Sequence, residues 1–388
     1  MKKLFGLFAL VLFVTACNNG NPTSTEETTA QVEEVNPHET HQGEYHGHHG
    51  MEAEEEERVH YDEEVHLKNV RQLTYGGDNA EAYWSFDDQS LVFQANTPAW
   101  GTNCDQIYVM NLADRTPDRI PPAMVSTSLG RTTCAYFMPG DTTIIYASTH
   151  LGDDECPPVP ERKEGRYVWP IYDSYDIFIA DLEGNIVSQY TDTPGYDAEA
   201  TLSPIGDKIV FTSTRSGDLE LYVMNVDGTE VMQVTNELGY DGGAFFSPDG
   251  SKIVWRASRP TTTEEVKKYK GLLSEGLVEP TNMELFVANA DGSDARQITE
   301  LGNANWAPFF HPSGEKILFS SNHMSERGFP FNLFMINLDG TGLEQVTFDS
   351  AFDSFPMFSN DGKYLVFGSN RNNGRTRSTN LFLAEWVD

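Results

Sequence analysis

The sequence predicts an all-β fold in which six copies of one four-stranded unit close into a ring, a six-bladed β-propeller. Three observations carry this. An apolar or aromatic stretch, a Pro/Asp/Gly turn and a β-rich strand recur six times from about residue 66 onward. Four copies continue through an acidic-Gly turn into a strand ending in Gln-x-Thr. The last copy stops at Asp388 without a fourth strand, and Val70-Arg71-Gln72-Leu73-Thr74 supplies that strand ahead of the first copy. Units that cannot bury their faces alone must stack, and four short strands per unit are the pattern of propeller blades.

Composition sets the bounds. Across 388 residues, 59 acidic side chains against 26 basic ones leave a net charge of −33. That balance excludes a general nucleic-acid binder, which gains affinity by replacing counterions with Lys and Arg. A content of 39% hydrophobic and 12% aromatic residues is ample for a large core. Four cysteines are too few for a disulfide scaffold, and no apolar run reaches the ~18 residues of a membrane span.

The chain opens with a leader. Lys2 and Lys3 precede an apolar stretch from Leu4 to Val14, and Val14-Thr15-Ala16-Cys17 follows as a small-residue cleavage site. Residues 1–16 are therefore a signal peptide outside the fold. The segment resembles the bacterial lipoprotein signal, which implies cleavage before Cys17 and acylation of its thiol and new amino terminus; an ordinary secretory signal is the other reading. Several acyl chains anchor stably. Asn18 after the cysteine resembles an outer-membrane destination, and Asn18-Asn19-Gly20 in place of acidic residues points to the periplasmic face.

Residues 17–65 follow as a disordered tether. Between residues 18 and 65, fourteen Asp or Glu against one Arg give a net charge of −13, and such a stretch cannot bury enough apolar surface to order itself. A coil of this length spans roughly 35–40 Å. Seven of the ten histidines sit at His38, His41, His46, His48, His49, His60 and His66. The densest patch, His46, His48 and His49, offers imidazoles beside carboxylates for Zn, Cu or Ni; a solvated spacer is the alternative. No other cofactor is expected.

The propeller occupies residues 66–388. Its hairpin turns lie at Asp87-Asp88, Pro139-Gly140-Asp141, Pro204-Ile205-Gly206, Pro248-Asp249-Gly250, Pro312-Ser313-Gly314 and Asn360-Asp361-Gly362, where Pro fixes φ and Gly tolerates positive φ. The second strands end on Phe93, Tyr146, Phe211, Trp255, Phe319 and Phe367, at intervals of 44 to 65 residues. Third strands run from Gln106 to Leu112, Asp176 to Leu182, Leu221 to Val226, Leu285 to Ala290, Leu333 to Leu338 and Leu381 to Trp386. Fourth strands lie at 187–191, 231–235, 295–299 and 343–347, with a degenerate copy around Arg119-Ile120-Pro121. Pairing of Val70 to Thr74 onto Asn380 to Trp386 closes the ring and removes exposed edges.

Ser247-Pro248-Asp249-Gly250, the Ser213-Thr214-Arg215 and Ser369-Asn370-Arg371 tails, the Asp-Gly turns and the Gln-x-Thr strands resemble the WD40-like PD40 repeats of TolB-family propellers, over residues 70–388. The resemblance implies a six-bladed propeller used as a binding or scaffold module in the bacterial envelope. The separate α/β domain that precedes the propeller in TolB is not read here, so the partners of the Tol–Pal system are not carried over.

The loops entering strand one and leaving strand two share one face, around the mouth of the channel. Aligning the copies sets Asn79, Thr132, Asp197, Asp241, Asn305 and Asp353 in one ring, with Glu81 and Glu199 two residues further in. Thr97, His150, Arg215, Arg259, His323 and Arg371 form a second ring. Two readings stand: the rings pair internally and fix loops, or they leave a polar funnel for a ligand or partner. His150 and His323, where three other blades carry Arg, are singled out as ligands of a metal or substrate, although neither lies in a compact metal motif.

The same face carries two insertions. In blade two, Gly152 to Tyr175 is a Pro-aromatic loop holding Tyr167-Val168-Trp169-Pro170. In blade four, Arg259 to Glu279 predicts a short amphipathic helix: Thr262 and Glu265 form a capping box, and Val266, Tyr269, Leu272 and Leu273 make one apolar stripe. Such a helix packs on its own blade or forms part of a partner surface. Cys104, Cys134 and Cys156 map near the mouth, and three pairings are open. The expected function is a lipid-anchored, non-enzymatic binding or scaffold module facing an envelope protein partner, touching the membrane only through its anchor and binding no nucleic acid. The alternative is a saccharide- or peptide-processing lyase or hydrolase using Asp197, Asp241, His150 and His323 in the funnel; no G-x-S-x-G elbow or nucleotide loop occurs.

Overall fold

In the computed structural model, residues 58–113, 121–163, 165–326, 328–374 and 376–388 are described. Six four-stranded antiparallel sheets succeed one another along the chain. Their innermost strands are Asp78–Trp84, Thr132–Phe137, Asp197–Leu202, Asp241–Phe246, Asn305–Phe310 and Asp353–Phe358. The signal segment, Cys17 and the His46, His48, His49 patch lie outside the described residues. Among the described residues, no helix is long and apolar enough to cross a membrane.

Each blade repeats the same packing. The second-strand aromatic stacks on a third-strand ring: Phe93 on Tyr108, Tyr146 on Phe178, Phe211 on Tyr222, Trp255 on Phe286, Phe319 on Phe334 and Phe367 on Phe382, with ring centroids 5.7 to 6.5 Å apart. Offset and tilted rings at that separation add about 0.5–1.5 kcal/mol each beyond the area they bury.

The fourth strands are shorter than the sequence suggests, only Met232–Gln233, Arg296–Gln297 and Glu344–Gln345 in blades three to five. Side chains take over from the ladder. The Gln amide donates to the carbonyl of its Thr, as in Gln233 to Thr235 (2.7 Å) and Gln345 to Thr347 (2.9 Å). The Thr hydroxyl then accepts a third-strand amide, from Leu221 to Thr235, Leu285 to Thr299 and Leu333 to Thr347 at 2.7 to 2.8 Å. In blade one the fourth strand is Ala123–Met124 rather than the copy expected around Pro121, and Ser126 plays the Thr part for Ile107.

Closure follows the expected pattern and starts earlier. Leu67–Gln72 pairs antiparallel with Asn380–Trp386, from Leu67 opposite Trp386 to Gln72 opposite Phe382. Beyond the strand, Thr74 accepts the Leu381 amide at 2.9 Å. The reading of residues 17–65 as disordered fails at its C-terminal end. Glu64 reaches Arg371 at 2.8 Å, Arg371 reaches Asp353 at 2.9 Å, and all three side chains are 0% exposed. Tyr61 donates to Asp349 at 2.7 Å. Charge composition argued for solvation there, but a buried guanidinium with one carboxylate left room for a second.

Removing that second carboxylate is expected to loosen the seam. Glu64→Ala should lower unfolding stability by about 3 kcal/mol, the low end for a broken buried pair because Asp353 remains. Urea titration of Glu64→Ala against the exposed neighbour Glu63→Ala checks it; equal midpoints would show that the triad contributes nothing.

Candidate functional site

The structure resolves the two mouth rings in favour of internal pairing. Asn79, Thr132, Asp197, Asp241, Asn305 and Asp353 are at most 1% exposed. Arg215 bonds Asp197 (2.9 Å), Arg259 bonds Asp241 (2.6 Å) and Arg371 bonds Asp353 (2.9 Å), each within its own blade. Where the second-ring residue is His, its partner is neutral. His323 shares Ser321 with Asn305, through contacts of 2.9 and 2.7 Å, and His150 bonds Ser148 at 2.9 Å beside Thr132. Burial holds both imidazoles below the usual histidine range. Charged second-ring residues thus meet carboxylates and the histidines meet neutral groups, while in blade one Asn79 donates to the Gly76 and Thr379 carbonyls instead.

The same residues cap the aromatic pairs. Arg215 lies 5.1 Å over Phe211, Arg259 4.8 Å over Phe286 and Arg371 5.0 Å over Phe367. His150 and His323 sit 4.5 Å from Phe178 and Phe334. In blade one, Trp100 covers Tyr108 at 5.1 Å, while Thr97 has a buried hydroxyl with no protein partner. The three guanidinium contacts strengthen their loops by about 0.5–2 kcal/mol each. The funnel expected from Asn79, Asp197, Asp241, Asn305, Asp353 and the second ring is therefore a set of loop ties. Among the described residues, no group of three His, Cys, Asp or Glu side chains stands close enough to hold a metal ion.

What faces the axis is the position two residues further along. Every innermost strand breaks register there, between Ala80 and Tyr83, Thr133 and Tyr136, Ala198 and Thr201, Gly242 and Phe245, Trp306 and Phe309, and Ser354 and Met357. Inside each break one residue has positive φ: Glu81, Cys134, Glu199, Gly243, Ala307 and Phe355, between 47° and 61°. A bulge of this kind re-aims a side chain, and left-handed backbone at a non-Gly residue costs on the order of 1 kcal/mol. All six line one axial cavity.

The cavity is about 20 Å³, room for roughly one water. Toward the turn face it is plugged by rings: Tyr83 lies 5.3 Å from Tyr136 and 5.7 Å from Phe245, and Phe245 lies 5.2 Å from Phe309. Glu199 is saturated. It accepts from Thr212 (2.7 Å), Tyr240 (3.0 Å) and the Gly243 amide (3.0 Å), and pairs with Arg256. Arg256 reaches in from the second strand of blade four because Gly243 has no side chain; a Cβ there would overlap the guanidinium. Among the described residues, Glu81 accepts only the Cys134 thiol, at 3.0 Å. Burial pushes the Glu81 carboxyl up to about 7 and the Cys134 thiol well above its usual value.

The two insertions meet as a roof. Helix α1, Thr263–Ser274, carries the expected capping box. The segment after it, Leu277–Val278, pairs with Trp169–Pro170 of the blade-two loop, and the Ile171 amide bonds Gly276 at 2.7 Å. Trp169 stands 5.2 Å from the Arg256 guanidinium and 5.2 Å from Trp306, which stacks on Phe331 at 4.5 Å. Rather than resting on its own blade alone, α1 reaches blade three, where Tyr269 bonds Asp218. Of the three open cysteine pairings, Cys104–Cys156 is formed, tying the blade-two insertion to blade one; Cys134 is free and buried.

Arg256, Tyr240 and the axial role of Cys134 were not read from the sequence. A signal was present: Gly242-Gly243 inside a strand marks a close approach of other groups.

Residues 167–271 match a family model described as the TolB beta propeller domain, PD40. Among solved structures, a putative TolB from Agrobacterium tumefaciens has a TM-score of 0.52 at 18% identity, over 80% of this chain and 91% of that one. TolB from Acinetobacter baumannii has a TM-score of 0.47 at 17% identity, over 80% of this chain and 64% of that one. An oligogalacturonate lyase from Vibrio parahaemolyticus has a TM-score of 0.47 at 11% identity, over 81% and 93%. The first likeness is one of fold, and the other two are too loose to add to it. No curated protein matches the chain.

Buried carboxyls make the fold acid-loving. Burial raises Asp78 and Asp176 from 3.8 to about 6, Glu81 from 4.5 to about 7 and Glu220 from 4.5 to about 8. A folded value above the unfolded one means the native state holds more protons between the two, so stability falls as pH rises through that window. Groups with lowered values act in the opposite sense: Asp249 and Glu265, at about 2, only in more acidic solution, and His150, His311 and His323, held below the usual histidine range by burial, only up to about pH 6.5. The melting temperature should therefore drop from pH 7 to pH 8.5, where only the raised carboxyls still titrate. A melting temperature that rises over this range would contradict the assignment.

Proposed function

We propose that this TolB-like propeller is a lipid-anchored, non-enzymatic binding or scaffold module of the bacterial envelope. On this reading it is held at the outer membrane through Cys17, on the periplasmic side, and engages a protein partner with the face that carries the two insertions. The leader pattern ending in Cys17 supports the anchor, and the acidic stretch after it supports a leash. A net charge of −33 argues against nucleic acid.

One observation carries the binding reading. The polar side chains that would line an open funnel are spent on loop ties, while large apolar side chains stand in solvent on loops of the same face: Leu151 at 61%, Met324 at 71% and Phe329 at 63% exposed. Apolar groups standing in solvent on loops around a roofed mouth are what a protein interface uses. The His46, His48, His49 patch would add a divalent-metal function to the leash; zinc titration of the full chain against a His46→Ala, His48→Ala, His49→Ala triple variant tests it, and equal zinc uptake would retire it.

A second reading has one observation behind it. Glu81, held near 7 in a cavity it shares with Glu199, has the poise of a general acid. Turnover of a glycan or peptide library that disappears in Glu81→Gln would make the protein an enzyme.

Photo-crosslinking in intact envelopes separates the two. A crosslinker at Met324 or Phe329 should capture a stoichiometric protein, and one at Ile205, on the opposite turn face, should not. Paired Met324→Ala and Phe329→Ala should cut capture roughly tenfold, the worth of about 1.4 kcal/mol at an interface centre. Equal capture from both faces would sink the proposal.

A further inference from the structure

We infer that Glu81 is the counter-ion for one primary ammonium group, a lysine side chain or a chain amino terminus, that enters the axial cavity from the mouth. The inference rests on the mouth face being the binding side and names the chemistry that reaches the axis.

Four features converge on it. The first is an imbalance of partners. The axial ring holds two carboxylates and receives one guanidinium, and Arg256 spends its Nη2 on Glu199 and Tyr240 and makes no hydrogen bond to Glu81. Glu81 is left with a thiol, a weak donor, in a place where a carboxylate without a strong donor is costly. The second is aim. The left-handed backbone at Glu81, with φ of 53°, turns its side chain to the axis. The third is the wall. Tyr83, Phe245 and Phe355 line the same cavity, and ring faces favour a desolvated cation. An anion would meet two carboxylates.

The fourth is size. A cavity of about 20 Å³ accepts one water-sized group. An ammonium is that size; a planar guanidinium or a sugar ring is not. On this proposal the approach from the mouth runs beneath the joined insertions, near Trp169, which stands 5.2 Å from the Arg256 guanidinium, and the thin alkyl stem of a lysine follows its head group in.

The groups facing Glu81 set the pH dependence. Glu199 and Asp105 raise its carboxyl and Arg256 lowers it, burial being the largest cause of its value near 7. Burial keeps Cys134, Tyr83, Tyr136 and Tyr240 protonated well past that pH. Affinity for a lysine side chain should therefore grow about tenfold from pH 6 to pH 8, as Glu81 ionises and before the lysine loses its proton, whereas an α-amino group, which itself titrates near pH 8, should gain about half as much.

Cys134 is a built-in reporter, its sulfur 3.0 Å from the Glu81 carboxylate. In the full chain, iodoacetamide labelling of Cys134 is followed by peptide mass spectrometry, with and without three probes: a lysine peptide blocked at both ends, a lysine-free peptide with a free amino terminus, and the blocked peptide with its lysine acetylated. Each rate is compared with the unprotected rate at the same pH. The first or second probe should slow labelling at least about tenfold, and which of them does so identifies the source of the amine. The acetylated probe should do nothing, and Glu81→Gln should lose the protection. Trp169→Ala opens the roof if the wild-type thiol is too slow to label, and calorimetric titration of the same probes into wild type and Glu81→Gln gives a readout independent of the thiol. Equal binding by Glu81→Gln, equal protection by the acetylated probe, or no binding heat from either amine overturns the inference. Partner capture by Glu81→Gln at wild-type level would remove the amine site and leave the mouth interface standing; capture lost at Met324 and Phe329 with amine protection intact would do the reverse.

Discussion

Circular closure is the constraint to which the rest of the molecule answers. A blade is a four-stranded sheet with two faces to bury, and it can bury both only when it has a neighbour on each side. Blade six obtains its outer strand from the other end of the chain, through contacts such as Thr74 to Leu381, 307 residues apart in sequence. The loop-closure entropy of so distant a pairing grows only slowly with length. The strand ladder, the Thr74 hydroxyl and the Glu64–Arg371–Asp353 triad all act at this one seam. The buried guanidinium of Arg371 holds Glu64, at the end of the acidic stretch, against an acidic domain.

With the ring shut, one backbone device makes an axial site. A regular strand sets residues i and i+2 on the same side, so Asp197 and Glu199 would point together. The bulge after Ala198 separates them: Asp197 turns to Arg215 in its own blade, and Glu199 turns to the axis. Because every blade repeats the break, six side chains converge. The loop ties are near copies of one another around the ring, whereas the axial set runs Glu, Cys, Glu, Gly, Ala, Phe. Scaffold positions answer to local packing that is the same in each blade. Axial positions are free of that demand, and their variety is where specificity can reside.

Much of the architecture was legible. The six turns, the aromatic strand ends and the strand that closes the ring all follow from periodic apolar spacing and turn chemistry, which act locally and repeat. Glu81 and Glu199 were legible as positions deeper than the ring. The pairing of Arg215, Arg259 and Arg371 with their aspartates was one of two readings, and the choice between them depended on side-chain direction. The role of Arg256 was out of reach, because it enters the cavity through space vacated by Gly243 on the adjacent strand. The ordered end of the tether was out of reach for a similar reason: composition describes the solvation of residues 58–65 and carries no information about a guanidinium held open by blade six.

The amino-acid sequence by itself determined the number of blades, their order, the strand that closes them and the presence of two long insertions on one face, since each follows from short-range patterns that any copy of the unit must satisfy. Only the tertiary structure decided which polar groups tie loops and which face the axis, that Cys104 pairs with Cys156 while Cys134 stays free, and that the insertions of blades two and four join over the mouth. Those outcomes depend on distances between residues far apart in the chain, and such distances exist only once the ring has closed.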